Sequence, residues 1–302
     1  MLRKIWNGEG IPEDWRKGVI CPIYKRGDKG AVKSYRGVTL RDTAYKIYAG
    51  ILDERLKVEM EDKLGKSQFG FRKGRGVIDA VVNRKKLGEI MRRMGVNEKL
   101  TRRIEEIYEE TKNVVRIMNV DTKEFWTVRG VRQGCPLSPT LFNIYMAGLE
   151  EEMRKGQVGG IVVGDSKVWS LLYATDIVLI ADREEELKEM TKRFKTFLKE
   201  RELELSTEKT KVAAFEKRRN KRRQRKWRWG EQELEEVDEI RYLGYILQKN
   251  GSDGKHIQGR KRRAAIAMKK TWSVGERIFK RDYKRSMRMF GALVESAALF
   301  GA

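Results

Sequence analysis

Val168-Trp169-Ser170-Leu171-Leu172, then Tyr173-Ala174-Thr175-Asp176, then Ile177-Val178-Leu179-Ile180, is the stretch on which the fold turns. Two short apolar β-type runs flank a turn that presents one carboxylate, Asp176, at its tip. A carboxylate placed there is a candidate oxygen ligand for a hard divalent cation such as Mg²⁺. The residue before it is Thr175, whose neutral hydroxyl competes poorly with water for such an ion.

Outward from this hairpin, the period of the apolar residues changes repeatedly. Downstream, Leu187, Met190, Phe194, Phe197 and Leu198 form one stripe, which predicts a charged amphipathic helix over 184–200. Upstream, 141–153 reads as helix. Residues 86–112 read as two helical segments broken near Gly95 and Asn97. Between them, 114–120 and 125–128 read as a hairpin around Asp121-Thr122. Ala44, Ile47, Ile51, Leu52, Leu56 and Met60 recur at helical spacing, which predicts a helix over 41–64. Gly18–Tyr24 reads as a strand before the turn Lys25-Arg26-Gly27-Asp28. Apolar stripes of this kind are read as core. Asn250-Gly251-Ser252 is read as a turn.

Composition narrows the function. The 302 residues are 40% hydrophobic, enough for a substantial core, yet 37% are charged. Lys+Arg number 67 against 44 Asp+Glu, a formal net charge of +23, which predicts a polyanionic partner such as nucleic acid. Two distant cysteines, Cys21 and Cys135, give neither a disulfide framework nor zinc spacing. The single histidine, His256, cannot build a metal site alone and is read as a surface residue of a basic loop. No long apolar run or secretory leader is present, so no membrane partner and an intracellular setting, nucleus or cytoplasm, are expected.

The densest basic block is 217–226, with Arg222, Arg223, Arg225 and Lys226, followed directly by Trp227 and Trp229. Cations beside aromatics suit phosphate neutralisation with base stacking. The tryptophans read equally well as packed inward. A second basic run, Arg260-Lys261-Arg262-Arg263, opens a helical tail reaching Phe300.

These pieces together resemble the reverse transcriptase domain of non-LTR (LINE-type) retrotransposons. Ile20–Asp28 looks like the family's opening segment. Ser34-Tyr35-Arg36-Gly37-Val38-Thr39-Leu40 is similar to its Tyr-Arg-Pro-Ile-Ser-Leu block, with Gly37 where proline is usual. Gln68-Phe69-Gly70-Phe71-Arg72-Lys73-Gly74-Arg75 and Gly130-Val131-Arg132-Gln133-Gly134-Cys135-Pro136-Leu137-Ser138-Pro139 match two further blocks. Tyr173-Ala174-Thr175-Asp176 stands at the Tyr-Ala-Asp-Asp position, and 203–211 and Tyr242-Leu243-Gly244-Tyr245 fall where later blocks belong. The series is ordered and covers nearly the whole chain.

The resemblance implies an α+β right-hand polymerase fold with fingers, palm and a partial thumb. It divides the chain into a fingers-like segment 1–82, a palm-like segment 83–216, and 217–302 with the basic loop, primer-grip hairpin and start of the thumb. It implies an RNA-directed DNA polymerase of a mobile element, with an RNA template, a DNA primer or target, deoxynucleoside triphosphates and Mg²⁺ as partners. Two-metal nucleotidyl transfer needs acidic side chains to hold the ions. By resemblance, Asp176 is the metal ligand and Lys209 the lysine near the leaving pyrophosphate. Arg72, or alternatively Lys73 or Arg75, clamps triphosphate through charge-assisted contacts. Gln133, Gly134 and Pro136 lie by the nascent base pair, and Tyr242, Leu243 and Gly244 grip the primer end.

Two departures bear on mechanism. The family carries, after the Gly-Phe-Arg block, a strand of the form Phe-x-Asp-x-x-x-Ala-Phe-Asp; this chain runs instead through Val82-Asn83-Arg84 into the helix beyond, as if joined across a lost stretch. Asp79 is the only acid in 77–82. Thr175 replaces the second aspartate. One carboxylate–cation contact is worth roughly 4 kcal/mol at an effective dielectric of 20, and about 1.36 kcal/mol is a tenfold rate change, so each loss costs about a thousandfold. Without the lost strand, the palm sheet is expected to be incomplete, with unpaired edges beside Leu171, Leu172, Val178 and Ile180. No endonuclease segment precedes Met1 and the chain stops at Ala302, which is read as a fragment. The expectation is an inactive, degenerate copy; the alternative is a non-catalytic nucleic-acid-binding protein using its basic surface.

Overall fold

Asp42 starts the longest helix of the first half: its side chain accepts hydrogen bonds from the backbone N–H of Ala44 and Tyr45, at 2.7 and 3.2 Å, and so caps the helix. The computed structural model describes residues 1–64, 82–109, 111–173, 175–215, 225–278 and 282–300. The fold is α+β, as the sequence implies. Two compact units are present, Met1–Glu204 and Leu205–Ala302.

In the first unit, the short helix α1 (Leu2–Asn7) leads to strands β1 (Lys17–Tyr24) and β2 (Tyr35–Leu40) and then helix α2 (Thr43–Met60). Helices α3 (Arg84–Arg93) and α4 (Glu98–Glu109) follow, then β3 (Lys112–Ile117), β4 (Val120–Asp121) and β5 (Phe125–Trp126). Helices α5 (Ser138–Tyr145) and α6 (Leu149–Lys155) lead into β6 (Ile161–Val163), β7 (Ser166–Val168), β8 (Ser170–Tyr173), β9 (Asp176–Leu179) and helix α7 (Glu184–Glu200).

The main sheet has five strands, in the order β2-β1-β3-β4, with β5 also on β3. β1 runs antiparallel to β2, pairing Val19 with Leu40, and parallel to β3, pairing Val19 with Val114. A parallel pair needs a long crossover, and here β2, α2, α3 and α4 intervene in the chain. The core beside the sheet holds Leu52, Leu56 and Met60 of α2, Leu100 and Ile104 of α4, and Leu141 and Ile144 of α5, all fully buried or nearly so.

The buried face of α2 is Tyr45, Tyr48, Ala49, Leu52, Leu56 and Met60. Ile47 and Ile51, expected in the core, are exposed. The two tyrosines decide the rotation. Trp15 packs on both rings, with centroids 5.9 and 5.6 Å away, and turns that face inward. The two helices expected over 86–112 are present, each capped by asparagine: Asn83 accepts from Lys85 and Lys86 N–H, and Asn97 from Lys99 and Leu100 N–H. They touch closely at Gly88, where an added Cβ would lie 2.0 Å from Glu105 Oε1.

The hairpin after α4 turns at Met118-Asn119, not at Asp121-Thr122. Both turn residues have positive φ, 49° and 65°, the backbone that a two-residue hairpin loop requires. The helix expected over 141–153 is two helices, interrupted at Gly148, whose φ is 88°. The helix over 184–200 has the expected bounds, with Met190, Phe194, Phe197 and Leu198 buried.

In the second unit, β10 (Lys211–Val212), β11 (Trp227–Trp229) and β12 (Gln232–Glu236) form one small sheet, β12 in the centre. A hairpin of β13 (Glu239–Tyr242) and β14 (Tyr245–Gln248) precedes the long helix α8 (Gly254–Ile278), followed by α9 (Tyr283–Phe290) and α10 (Ser296–Leu299). His256, read as a surface loop residue, is a buried residue of α8. Its ring stacks on Tyr245 at 3.9 Å, Nδ1 accepts from Ile246 N–H at 3.3 Å, and Nε2 lies 3.2 Å from the Phe300 carbonyl. Those neighbours complete the ring's polar contacts, which is why it can be buried.

Candidate functional site

β8 and β9 pair antiparallel in the register Ser170–Leu179, Leu171–Val178, Leu172–Ile177 and Tyr173–Asp176. The strand alternation turns Ser170 and Leu172 inward and leaves Leu171 and Tyr173 half-buried. Tyr173 ends β8, and Asp176 is the first residue of β9. Thr175 and Asp176 are both exposed. At the other end, Ile180 N–H donates to the Trp169 carbonyl at 2.9 Å, and Gly160 N–H to the Ile180 carbonyl at 2.8 Å. Among the described residues, β8 and β9 form a sheet only with each other. Also among the described residues, no three His, Cys, Asp or Glu side chains are grouped to hold a metal ion. Thr175 and Asp176 therefore do not make the donor set that a pair of divalent ions needs.

Gln133 and Gly134 form a turn docked on β2. Thr39 N–H donates to the Gln133 carbonyl at 3.0 Å. Gly134 has φ +99°, and an added Cβ would sit 3.0 Å from the Thr39 carbonyl oxygen, so the close approach needs glycine. Gln133 Nε2 is buried without a hydrogen-bond partner, and Arg36 Nε on β2 is in the same state. Pro136 is exposed. Arg72, Lys73, Arg75, Arg222 and Arg223 lie outside the described residues.

The other sequence candidates lie in the second unit. Lys209 is exposed, its N–H bonded to the Ser206 carbonyl at 3.2 Å. Tyr242 ends β13, and Leu243 and Gly244 make the hairpin turn with φ of 49° and 87°. The Gly244 carbonyl accepts from Arg260 Nη2 at 3.1 Å. Trp227 packs inward at 6% exposure, donating Nε1–H to Glu236 at 2.9 Å, while Arg225 lies 3.5 Å from the same carboxylate. Trp229 is half-buried and Lys226 exposed.

Comparison with known proteins follows this geometry. A family described as reverse transcriptase (RNA-dependent DNA polymerase) matches residues 23–247. The chain belongs to the reverse transcriptase family. Among its relatives is a protein of Nasonia vitripennis named as a retrovirus-related Pol polyprotein from type-1 retrotransposable element R2. It is 31% identical over 196 residues, covering 62% of this chain and 18% of the relative. Another, from Xenopus laevis, is the transposon TX1 uncharacterized 149 kDa protein, 27% identical over 202 residues, covering 57% of this chain and 15% of the relative. An R2 polyprotein of Popillia japonica is 38% identical over 63 residues, 21% of this chain and 10% of that protein. The reverse transcriptase chain thus spans under a fifth of these relatives' length. No helix among its described residues is long and apolar enough to cross a membrane.

Sequence reasoning did not single out three buried or half-buried arginines, Arg41, Arg84 and Arg132. Arg84 is held by the carbonyls of Gly130, Tyr108 and Thr127 at 3.1, 2.7 and 2.7 Å. It follows directly on Asn83, whose side chain accepts from Lys85 and Lys86 N–H. Val82, on the other side, is fully buried and accepts from Gly130 N–H at 2.7 Å. The one available sequence signal was the place of Arg132 beside Gln133 in a family block.

Proposed function

We propose that this chain is the polymerase region of a non-LTR mobile element that keeps the nucleic-acid-binding frame and does not catalyse nucleotidyl transfer. In this reading 1–82 serves as fingers, 83–216 as a palm without its first acidic strand, and 217–302 as primer grip and start of the thumb. The observation that carries it is the β8–β9 tip. Thr175 stands before Asp176, and no group of three His, Cys, Asp or Glu side chains gathers among the described residues.

The chain's own residues retain roles in holding template and primer. Gln133 and Gly134 present a backbone turn to which a base pair can draw close. Tyr242, Leu243 and Gly244 form a tight turn suited to a primer end, and Lys209, Arg225 and Lys226 supply positive charge. Arg72, Lys73 and Arg75 remain the candidates for triphosphate. The +23 net charge supports binding of template and primer. The pairing of β8 and β9 with each other alone among the described residues supports an incomplete palm sheet.

The test is primer extension on an RNA template with Mg²⁺, alongside hybrid binding by the same preparation. Salt-sensitive binding without extension is expected. Extension that disappears in Asp176→Asn would overturn the proposal.

A further inference from the structure

Arg41 and Arg132 are buried, at 9% and 5% exposure, and Arg84 is half-buried. Two tyrosine rings tie them together. Arg41 lies 5.6 Å and Arg132 5.2 Å from the Tyr45 ring; Arg132 lies 5.1 Å and Arg84 5.5 Å from the Tyr108 ring. None of the three has a carboxylate partner among the described residues. Arg41 donates to the carbonyls of Trp15 and Lys17 and to Asn113 Oδ1. Arg84 and Arg132 converge on one neutral oxygen, Thr111 Oγ1, at 3.3 and 2.8 Å.

Donors are left over. Arg41 Nε, Arg132 Nε and Arg132 Nη1 are buried and unpartnered. Nor do the phenols supply charge: Tyr45 and Tyr108 are held protonated by burial, well above the usual tyrosine range. Tyr45 Oη meets Cys135 Sγ at 3.4 Å, and Tyr108 Oη meets Ser138 Oγ at 2.9 Å. Burial first, and Arg132 second, lower both Arg41 and Arg84 to about 10. Three cations in a dry place, two of them sharing a hydroxyl, lack the anion that would offset their desolvation.

We propose that Arg41, Arg84 and Arg132 form an anion site for one compact free oxyanion of the phosphate type. Planar guanidinium forks match the oxygen edges of such an anion, and it has more acceptors than the leftover donors require. The depth of Arg41 and Arg132 favours a small free ion over the backbone of a strand. The site shares no residue with the β8–β9 tip and does not depend on catalysis there.

The experiment is thermal unfolding of the full chain in inorganic phosphate against chloride, at pH 7 and matched ionic strength. Phosphate at ten times its dissociation constant is expected to raise the midpoint by about 3 °C, and the rise to grow with the logarithm of phosphate concentration beyond that. Arg132→Met removes the phosphate-specific part; a variant with Arg225→Gln and Lys226→Gln on the basic segment keeps it. Equal midpoints in the two salts, or an increment surviving in Arg132→Met, overturns the proposal. A short oligonucleotide without terminal phosphate leaves the increment in place; its displacing phosphate overturns the assignment to a free ion. Should Arg132→Met fail to fold, the phosphorus-31 line width of inorganic phosphate with the wild type decides. Broadening reversed by sulfate and kept by the Arg225/Lys226 variant supports the site; broadening lost in that variant places phosphate on the exposed surface and overturns it.

Discussion

The sheet around β1 and the hairpin of β8 and β9 are built from similar apolar residues and end differently. β1 has a strand on each side, β2 antiparallel and β3 parallel. β8 and β9 have only each other among the described residues. Around β1 the backbone groups are paired, the helices α2 and α5 pack closely, and even charged side chains find carbonyl partners. At the hairpin, Thr175 and Asp176 are in water, and threonine precedes the one carboxylate. The difference teaches that packing and chemistry separate readily in a polymerase frame. Packing is shared over many side chains, whereas metal binding rests on a few carboxylates.

Breaking the better-packed side gives the largest effect. Arg84→Ala strands the carbonyls of Gly130, Tyr108 and Thr127 and is expected to lower stability by about 3 kcal/mol or more in urea unfolding. A loss under about 1 kcal/mol would mean that water replaces the guanidinium at these carbonyls. Leu52→Ala, at a fully buried position in α2, is expected to cost about 3 kcal/mol in the same assay.

Hydrogen exchange sharpens the comparison directly. Protected amides of β1 are expected to exchange at least about tenfold more slowly than those of β8 and β9, since a two-stranded hairpin opens without breaking the larger sheet. Equal protection would show that the hairpin is supported as well as the sheet.

Tyr48 gives a smaller effect with a sign. Its phenol is buried with no hydrogen-bond partner, and burial raises its pKa from 10.0 to about 12. The unfolded chain releases this proton first. Wild type therefore loses stability relative to Tyr48→Phe as pH rises from 10 to about 12, and the two respond alike below pH 9. Chemical denaturation of both proteins at pH 8 and 11 measures the difference; no difference at pH 11 removes the effect. Smallest in stability is Thr175→Asp. At an exposed hairpin tip it should shift unfolding by under about 0.5 kcal/mol, yet strengthen Mn²⁺ binding at Asp176 by about tenfold or more, followed by titration.

Much of the fold was legible in residue patterns. Helix α7 and the pair α3 and α4 carry clean helical periods with caps or breakers at their ends, and the β8–β9 hairpin shows alternating apolar runs. Ile47 and Ile51 misled because Trp15, far away in sequence, selects the tyrosine face of α2. The turn at Met118-Asn119 lacks the glycine that usually marks positive φ, so no local signal placed it. His256 and Trp227 look like members of basic surface segments, yet each has a polar partner that lets it be buried. The arginine cluster was invisible for a related reason. A buried arginine held by carbonyls and a hydroxyl, with no carboxylate, leaves no acidic partner in the sequence, and in a chain of 67 Lys+Arg it cannot be told from the surface.

The separation of frame from chemistry is tested most directly by electron paramagnetic resonance titration of the chain with Mn²⁺. With one anionic side chain at the hairpin tip, the wild type should hold no pair of coupled ions, and Asp176→Asn should change the curve only in its weakest phase. Two coupled Mn²⁺ ions per chain, both lost in Asp176→Asn, would contradict the account.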